Sequence, residues 1–366
     1  MQAYVKAIHS VNIHIKRFFR TADYSSVIGF FIGVALSSIL VLLFKENPSE
    51  VLKVLGGSFL QSRYDMGLTL FYATCFVFSG FAFSLPFKAG LFHIGAEGQI
   101  VFSAMVAAVC GNILFPYLGG GVSGIVLISL FTLISGVLCA WVIAAFKVYK
   151  QSHEVVVAIM LNFIYSALAT YFVLQFFQNP NSQNPESSLI HESYQVFKNG
   201  VLKNYFDQSA VSVFLLVAVM SCFLMWWFEN KTRVGLEIKA YGENPDAAKR
   251  MGISSFKVNF VALGIAGAFS GLIALSEVLG STFQYKVGFS PSYGFLGIVV
   301  ALLAQGNPIG MLVSGFIMAV LHKGASDLDL ETQFLTRDFS KVLQAIIIFC
   351  VAGAVYINHL LKKRKR

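Results

Sequence analysis

The chain has 366 residues, of which 56% are hydrophobic and 12% charged, with a mean hydropathy of +0.70 and a formal net charge of +9. Soluble domains carry roughly 25% charged residues, so too little polar surface exists here to coat a water-soluble globule of this size. A soluble enzyme and a secreted domain are excluded as the main reading, and the medium is a lipid bilayer.

A spanning helix needs about 20 mostly apolar residues. In chain order, the segments that meet or approach this are 26–44, 67–86, 100–118, 122–146, 155–177, 211–228 and 258–279. Two shorter ones follow, 293–304 and 309–321, separated by Gln305-Gly306-Asn307-Pro308, and 342–357 closes the set. The pattern predicts an all-α, polytopic membrane protein of about ten transmembrane helices over 26–357, with half-helices as the alternative for the eighth and ninth. Residues 1–25 are basic and lack a small-residue cleavage site, so they read as a retained cytoplasmic segment.

With the N-terminus inside, the cytoplasmic stretches 1–25, 87–99, 147–154, 229–257, 305–308 and 358–366 hold eighteen of the 27 Lys and Arg residues. The outer loops 45–66, 119–121, 178–210, 280–292 and 322–341 hold nine. This is the expected positive-inside bias, and it places the basic tail 358–366 inside as well. The excess of +9 is therefore orientation and calls for no nucleic acid. All five cysteines fall in apolar runs, which argues against a disulfide framework.

Chemistry-bearing motifs are sparse. There is no phosphate-cradling Gly-x-x-x-x-Gly-Lys-Ser/Thr run, no paired histidines, no Cys-x-x-Cys and no Gly-x-Ser-x-Gly. The chain is expected to be no enzyme and to need no metal or cofactor. The stretch 87–99 differs: it follows Pro86 and carries Gly90, Gly95 and Gly98 before an apolar span. A hydrophobic segment interrupted by Gly and Pro points to a transport site, where Glu97 and Gln99 would bind a polar solute. An ordinary cytoplasmic turn is the plainer alternative. Glu154 and Asn162 share a helical stripe; for Asn162, an interhelical hydrogen bond and solute contact both stand. Glu277 lies near the outer end of its span, where it is either a pathway group or interfacial and solvated.

Two loops are long. The outer loop 178–210 is either a solvated connection or a docking surface for an extracytoplasmic partner. In the cytoplasmic loop 229–257, Asn244 reads as a cap, Pro245 as a first helical residue, Asp246 as a complement to the dipole and Gly252 as a left-handed stop. The prediction is a two-turn helix over 245–251, too short to stand alone.

These residues carry a resemblance. Asp246-Ala247-Ala248-x-x-x-Gly252 resembles the Glu-Ala-Ala-x-x-x-Gly loop of ATP-binding-cassette importer permeases, with Asp in place of Glu. The context Gly235…Ala240-x-Gly242-Glu243-Asn244-Pro245 looks like the branched-chain amino acid and simple-sugar permease superfamily. Gly90-Leu91-Phe92-x-Ile94-Gly95-Ala96-Glu97-Gly98-Gln99 is similar to the nucleoside-type members. So are Glu154-Val155-Val156-x-x-Ile159-Met160-Leu161-Asn162, Glu277-Val278-Leu279-Gly280 and Gly294-Phe295-x-Gly297-Ile298. Many relatives have Asn where His93 stands and an acidic residue where Leu296 stands; the loss of a polar group at Leu296 fits an asymmetric permease pair.

The resemblance implies a permease subunit of a nucleoside importer in the bacterial cytoplasmic membrane, with both termini cytoplasmic. Its partners would be ATPase subunits, a second homologous permease and a lipid-anchored or periplasmic nucleoside-binding protein. Phe92, His93, Glu97, Gln99, Glu154, Asn162 and Glu277 would line the substrate path, with Phe92 as the stacking aromatic. Gly242, Asn244, Pro245, Asp246, Ala247, Ala248 and Gly252 would form the ATPase coupling segment. Permeases for simple sugars or branched-chain amino acids are the nearest alternative. A transporter working alone, with Glu97 or Glu277 as proton carrier, is a more distant one.

Overall fold

A computed structural model of the chain describes residues 25–43, 46–119, 121–195 and 200–331, with scattered positions between 339 and 357. The expectations for 1–24 and 358–366 lie outside the described residues, as does part of the predicted last span.

The described residues fold as helices. α1 is Ser25–Leu43, and α2 is Pro48–Gly57, started by Asn47 as cap and Pro48 in the first turn. α3 is Arg63–Lys88, capped by Ser62, whose hydroxyl accepts the Asp65 N–H at 3.1 Å. Then come α4, Ala96–Ile113; α5, Val122–Lys150; α6, Glu154–Phe176; and α7, Phe214–Lys231. α8, Arg233–Glu243, and α9, Pro245–Arg250, lead into α10, Ser255–Glu277, which ends in a π turn over Val278–Thr282. α11 is Tyr293–Leu303 and α12 is Gly310–Glu331. Six of the described helices are long and apolar enough to cross a membrane.

α3 is apolar on every face and sits at the centre, as such a helix must. α10, α11 and α12 pack around it, and α10 also runs along α4 and α5. Small residues allow close crossings: a Cβ on Gly136 of α5 would lie 2.2 Å from the Gly267 carbonyl oxygen of α10. Dispersion at such near-backbone contacts holds helices together where lipid removes the hydrophobic drive between them.

Four expectations are corrected. The interruption predicted over 87–99 narrows to 89–95, because α3 continues past Pro86 to Lys88 and α4 starts at Ala96. The segment 293–304 is an 11-residue half-length helix, whereas 309–321 belongs to the 22-residue α12, which continues to Glu331, through the first half of the supposed outer loop 322–341. Two of its charges are matched where they lie: Lys323 bridges Asp65 of α3 at 2.9 Å and Asp327 one turn on, and Ser58 donates to Asp327. The loop 229–257 is mostly helical, since Thr232 caps α8 through the Gly235 N–H and Ile238 and Tyr241 are buried. Finally, 178–210 is no plain solvated linker. Ile190 and Tyr194 are buried, and the segment pairs with the loop before α11, with Ser187 N–H donating to Tyr285 O and Ile190 N–H to Phe283 O, both at 2.8 Å.

The helix ends group at two ends of the bundle. At one, Lys88 of α3, Glu229 of α7 and Gly306 after α11 meet. At the other lie the Asp65–Lys323 pair and, elsewhere on that end, the 185–190 pairing with 283–287.

Candidate functional site

The interruption 89–95 climbs back into the bundle before α4 begins, and its backbone groups cannot all bond to one another. α6 supplies partners. Glu154 Oε1 accepts the Phe92 N–H at 3.3 Å, and Lys147 holds the other carboxylate oxygen at 2.6 Å. Two turns along the same face, Asn162 Nδ2 donates to Ile94 O and Asn162 Oδ1 accepts the Gly98 N–H, both at 2.9 Å. The Gly98 backbone lies so close that a Cβ there would sit 2.6 Å from Asn162 Cα. The shared stripe predicted for Glu154 and Asn162 is thus the clamp of the interruption, and the interhelical alternative for Asn162 holds.

Inside the clamp, His93 is buried and its Nε2 lies 3.3 Å from Gln99 Nε2, while Ser270 of α10 lies 3.2 Å from Gln99 Oε1. With Gln99 oriented this way, its amide donates to His93 Nε2 and the ring proton falls on Nδ1, a tautomer assigned from the network. His93 Nδ1 has no hydrogen-bond partner among the described residues. A buried polar atom left in that state costs about 1–3 kcal/mol.

The starts of α4 and α11 converge beside this group. Glu97 Oε2 accepts the Gly294 N–H at 2.8 Å, and a Cβ on Gly294 would lie 2.4 Å from Glu97 N. Glu97, in the first turn of α4, thereby satisfies one of the unpaired N–H groups at the start of α11 and places a carboxylate at that helix N-terminus. The preceding residue, Tyr293, donates its hydroxyl to Glu277 Oε1 at 2.9 Å, and its carbonyl accepts from Ser79 of α3. Glu277 is 6% exposed, which overturns the interfacial, solvated alternative.

The sequence-predicted path residues thus separate. Glu154, Asn162, Glu97, Gln99 and His93 gather around the interruption, whereas Glu277 joins through α11. Phe92 keeps 42% of its surface exposed and meets Phe83 edge to face at 5.3 Å. Leu296 is buried in α11, so no polar group comes from that position. Sequence reasoning missed Tyr293 and Ser270; the hydroxyl of Tyr293 immediately before the Gly294-Phe295 motif was the available signal. A cavity of about 280 Å³ lined by Phe83, Ser84, Lys88, Leu302 and Gly306 lies at the Lys88 end; no predicted path residue lines it, although Phe92 touches Phe83.

At that same end, Asn244 caps α9 as predicted. Its Oδ1 accepts the N–H groups of Asp246 at 3.2 Å and Ala247 at 3.0 Å, Pro245 opens the first turn, and Gly252 has φ +84°. Ala248 is buried, while Asp246, Ala247, Lys249 and Arg250 are exposed and Met251 is 81% exposed. Gly242 belongs to the packing of α8: a Cβ there would lie 1.9 Å from Lys88 O, the last carbonyl of α3.

Residues 66–352 match the family described as the branched-chain amino acid transport system, permease component. The guanosine ABC transporter permease protein NupP of Bacillus subtilis is 28% identical over 342 residues, covering 93% of this chain and 96% of that one. The nucleoside ABC transporter permease protein NupB of Lactococcus lactis is 29% identical over 341 residues, 91% of each chain. The glucose ABC transporter permease protein TsgB13 of Haloferax volcanii is 26% identical over 321 residues, 86% and 83% of the two chains. With a family match across most of its length and membrane-length helices to carry it, this chain belongs to the branched-chain amino acid transport system permease family of ABC transporter permeases.

Proposed function

We propose that this permease serves a nucleoside importer. The observation that carries the substrate class is the full-length likeness to a guanosine and a nucleoside permease. The site supports it chemically. His93 Nδ1 offers an unpaired proton, Gln99 and Ser270 offer further polar atoms, and exposed Phe92 offers a ring face. A nucleoside presents base edges, ribose hydroxyls and a π face to such a set. Glu154, Asn162 and Glu97 act on the path by holding its backbone, and Glu277 by holding α11.

The partners follow from the mode of action. ATPase subunits dock on α9 at the cytoplasmic face, where Met251 and the exposed Asp246–Ala247 edge fit a groove of mixed character. A second permease chain completes the path, and a lipid-anchored or periplasmic nucleoside-binding protein delivers solute to the 178–210 end. The chain sits in the bacterial cytoplasmic membrane with both termini inside. The test is uptake of labelled guanosine, uridine and glucose in cells with and without the gene, plus identification of proteins that co-purify in mild detergent. Nucleoside uptake is lost and glucose uptake unchanged if the proposal holds; the reverse supports a sugar permease, the second reading favoured by the likeness to the glucose permease.

A further inference from the structure

A charged cluster outside both the path residues and the coupling segment joins the two. Glu229, in the last turn of α7, is 3% exposed. Lys88 Nζ, at the last residue of α3, bonds both of its carboxylate oxygens, at 2.7 and 2.6 Å. The same ammonium donates to Gly306 O in the turn between α11 and α12, so all three of its protons are engaged. From the other side, Lys239 of α8 approaches Glu229 Oε2 at 3.7 Å. Beside this cluster the α8 backbone at Gly242 rests on Lys88 O and lies against Gly90 N. Lys88 is followed directly by the 89–95 interruption.

We infer that Lys88, Glu229 and Lys239 form a charged strut that transmits displacement of α8 and α9 to the interruption and to the α11–α12 turn. The three are positioning residues: none touches the candidate solute site. The inference rests on the proposal that α9 is the ATPase contact. The choice of charge is informative. A buried ion pair is no better for stability than well-packed apolar side chains of like volume, and is often worse. Its advantages are direction and fixed partners: the ammonium can satisfy Glu229 and Gly306 O together only from one place. A shift of α7 or α8 must therefore carry the end of α3 with it or leave a buried charge unpaired. The Gly242 contact resists approach only, whereas the ion pair also resists separation, so the two together transmit motion in both senses.

The test uses the complete complex with its ATPase and binding protein in liposomes, with labelled guanosine as probe and two readouts, ATP hydrolysis and guanosine taken up per ATP. In K88M/E229M an apolar pair replaces the ionic one. Assembly and thermal stability are expected to match the wild type, while guanosine per ATP falls about tenfold, the scale of a typical coupling free energy. Wild-type uptake per ATP in that variant overturns the strut. As a variant spared from folding failure, Lys239→Met removes only the arm from α8, whose side chain is 34% exposed. It is expected to lower uptake per ATP about fivefold with hydrolysis retained, and no change in that ratio also overturns the strut. If the wild-type complex shows no ATP-dependent uptake of any nucleoside, the proposed function has failed; if it couples normally and both variants do too, only the strut has.

Discussion

Asn162 accepts the Gly98 N–H and donates to Ile94 O, so one side chain of α6 ties the end of the interrupted segment to the first turn of α4. Asn162→Ala removes both bonds and leaves a buried N–H and C=O without partners. The expected loss is about 2–4 kcal/mol, seen as a lower thermal midpoint of the detergent-solubilised protein, together with loss of uptake. Asn162→Asp keeps the acceptor and should fall between the two.

The convergence of α4 and α11 depends on the absence of a side chain at Gly294. In Gly294→Ala the new Cβ meets the Glu97 backbone nitrogen, which has no flexible end to move. The protein is expected to reach the membrane in reduced amount and to lose transport. Gly288→Ala is the comparison. Its φ is +77° and nothing lies within 4 Å of the new Cβ, so it carries only the backbone cost of about 1–2 kcal/mol. Immunoblots of membranes paired with uptake assays separate these outcomes.

Tyr293 supplies the hydrogen bond seen on the buried Glu277 carboxyl. Tyr293→Phe should destabilise by about 1–3 kcal/mol, because it strands a polar group where no water competes. Adding Glu277→Leu to Tyr293→Phe removes the stranded group and should recover stability without recovering transport. Recovery of transport as well would show that this link is architectural only.

α9, the proposed ATPase contact, predicts a different profile. Asn244→Ala removes a cap worth about 0.5–2 kcal/mol from a helix of six residues, PDAAKR. Gly252→Ala forces a side chain into a left-handed conformation at about 1–2 kcal/mol. Both sites are exposed, so membrane abundance should hold while uptake drops, and co-purification of the ATPase with Met251→Glu should weaken.

Orientation is checked by labelling. In spheroplasts, a membrane-impermeant maleimide is expected to modify Ser182→Cys and not Lys249→Cys. The opposite result would invert the topology.

Much of the site was legible because its signals are local. The cap at Asn244, the left-handed Gly252, the Glu154–Asn162 stripe and the glycine-rich interruption each rest on a few neighbouring residues. α8 was missed because its mean polarity masks an amphipathic face that buries Gly235, Ile238 and Tyr241. The extension of α12 was missed because Lys323 and Asp327 look like loop charges until Asp65 and Ser58 are brought beside them.

By itself the sequence determined the solvent, the positions of most helices to within about a turn and the family, since hydropathy and short motifs are properties of contiguous residues. Only the tertiary structure decided what the polar groups do. Gly98 and Asn162, Glu97 and Gly294, and Lys88 and Glu229 stand 64, 197 and 141 positions apart. In a bilayer a polar side chain must find its partner within the protein. Which partner it finds is set by how the helices pack.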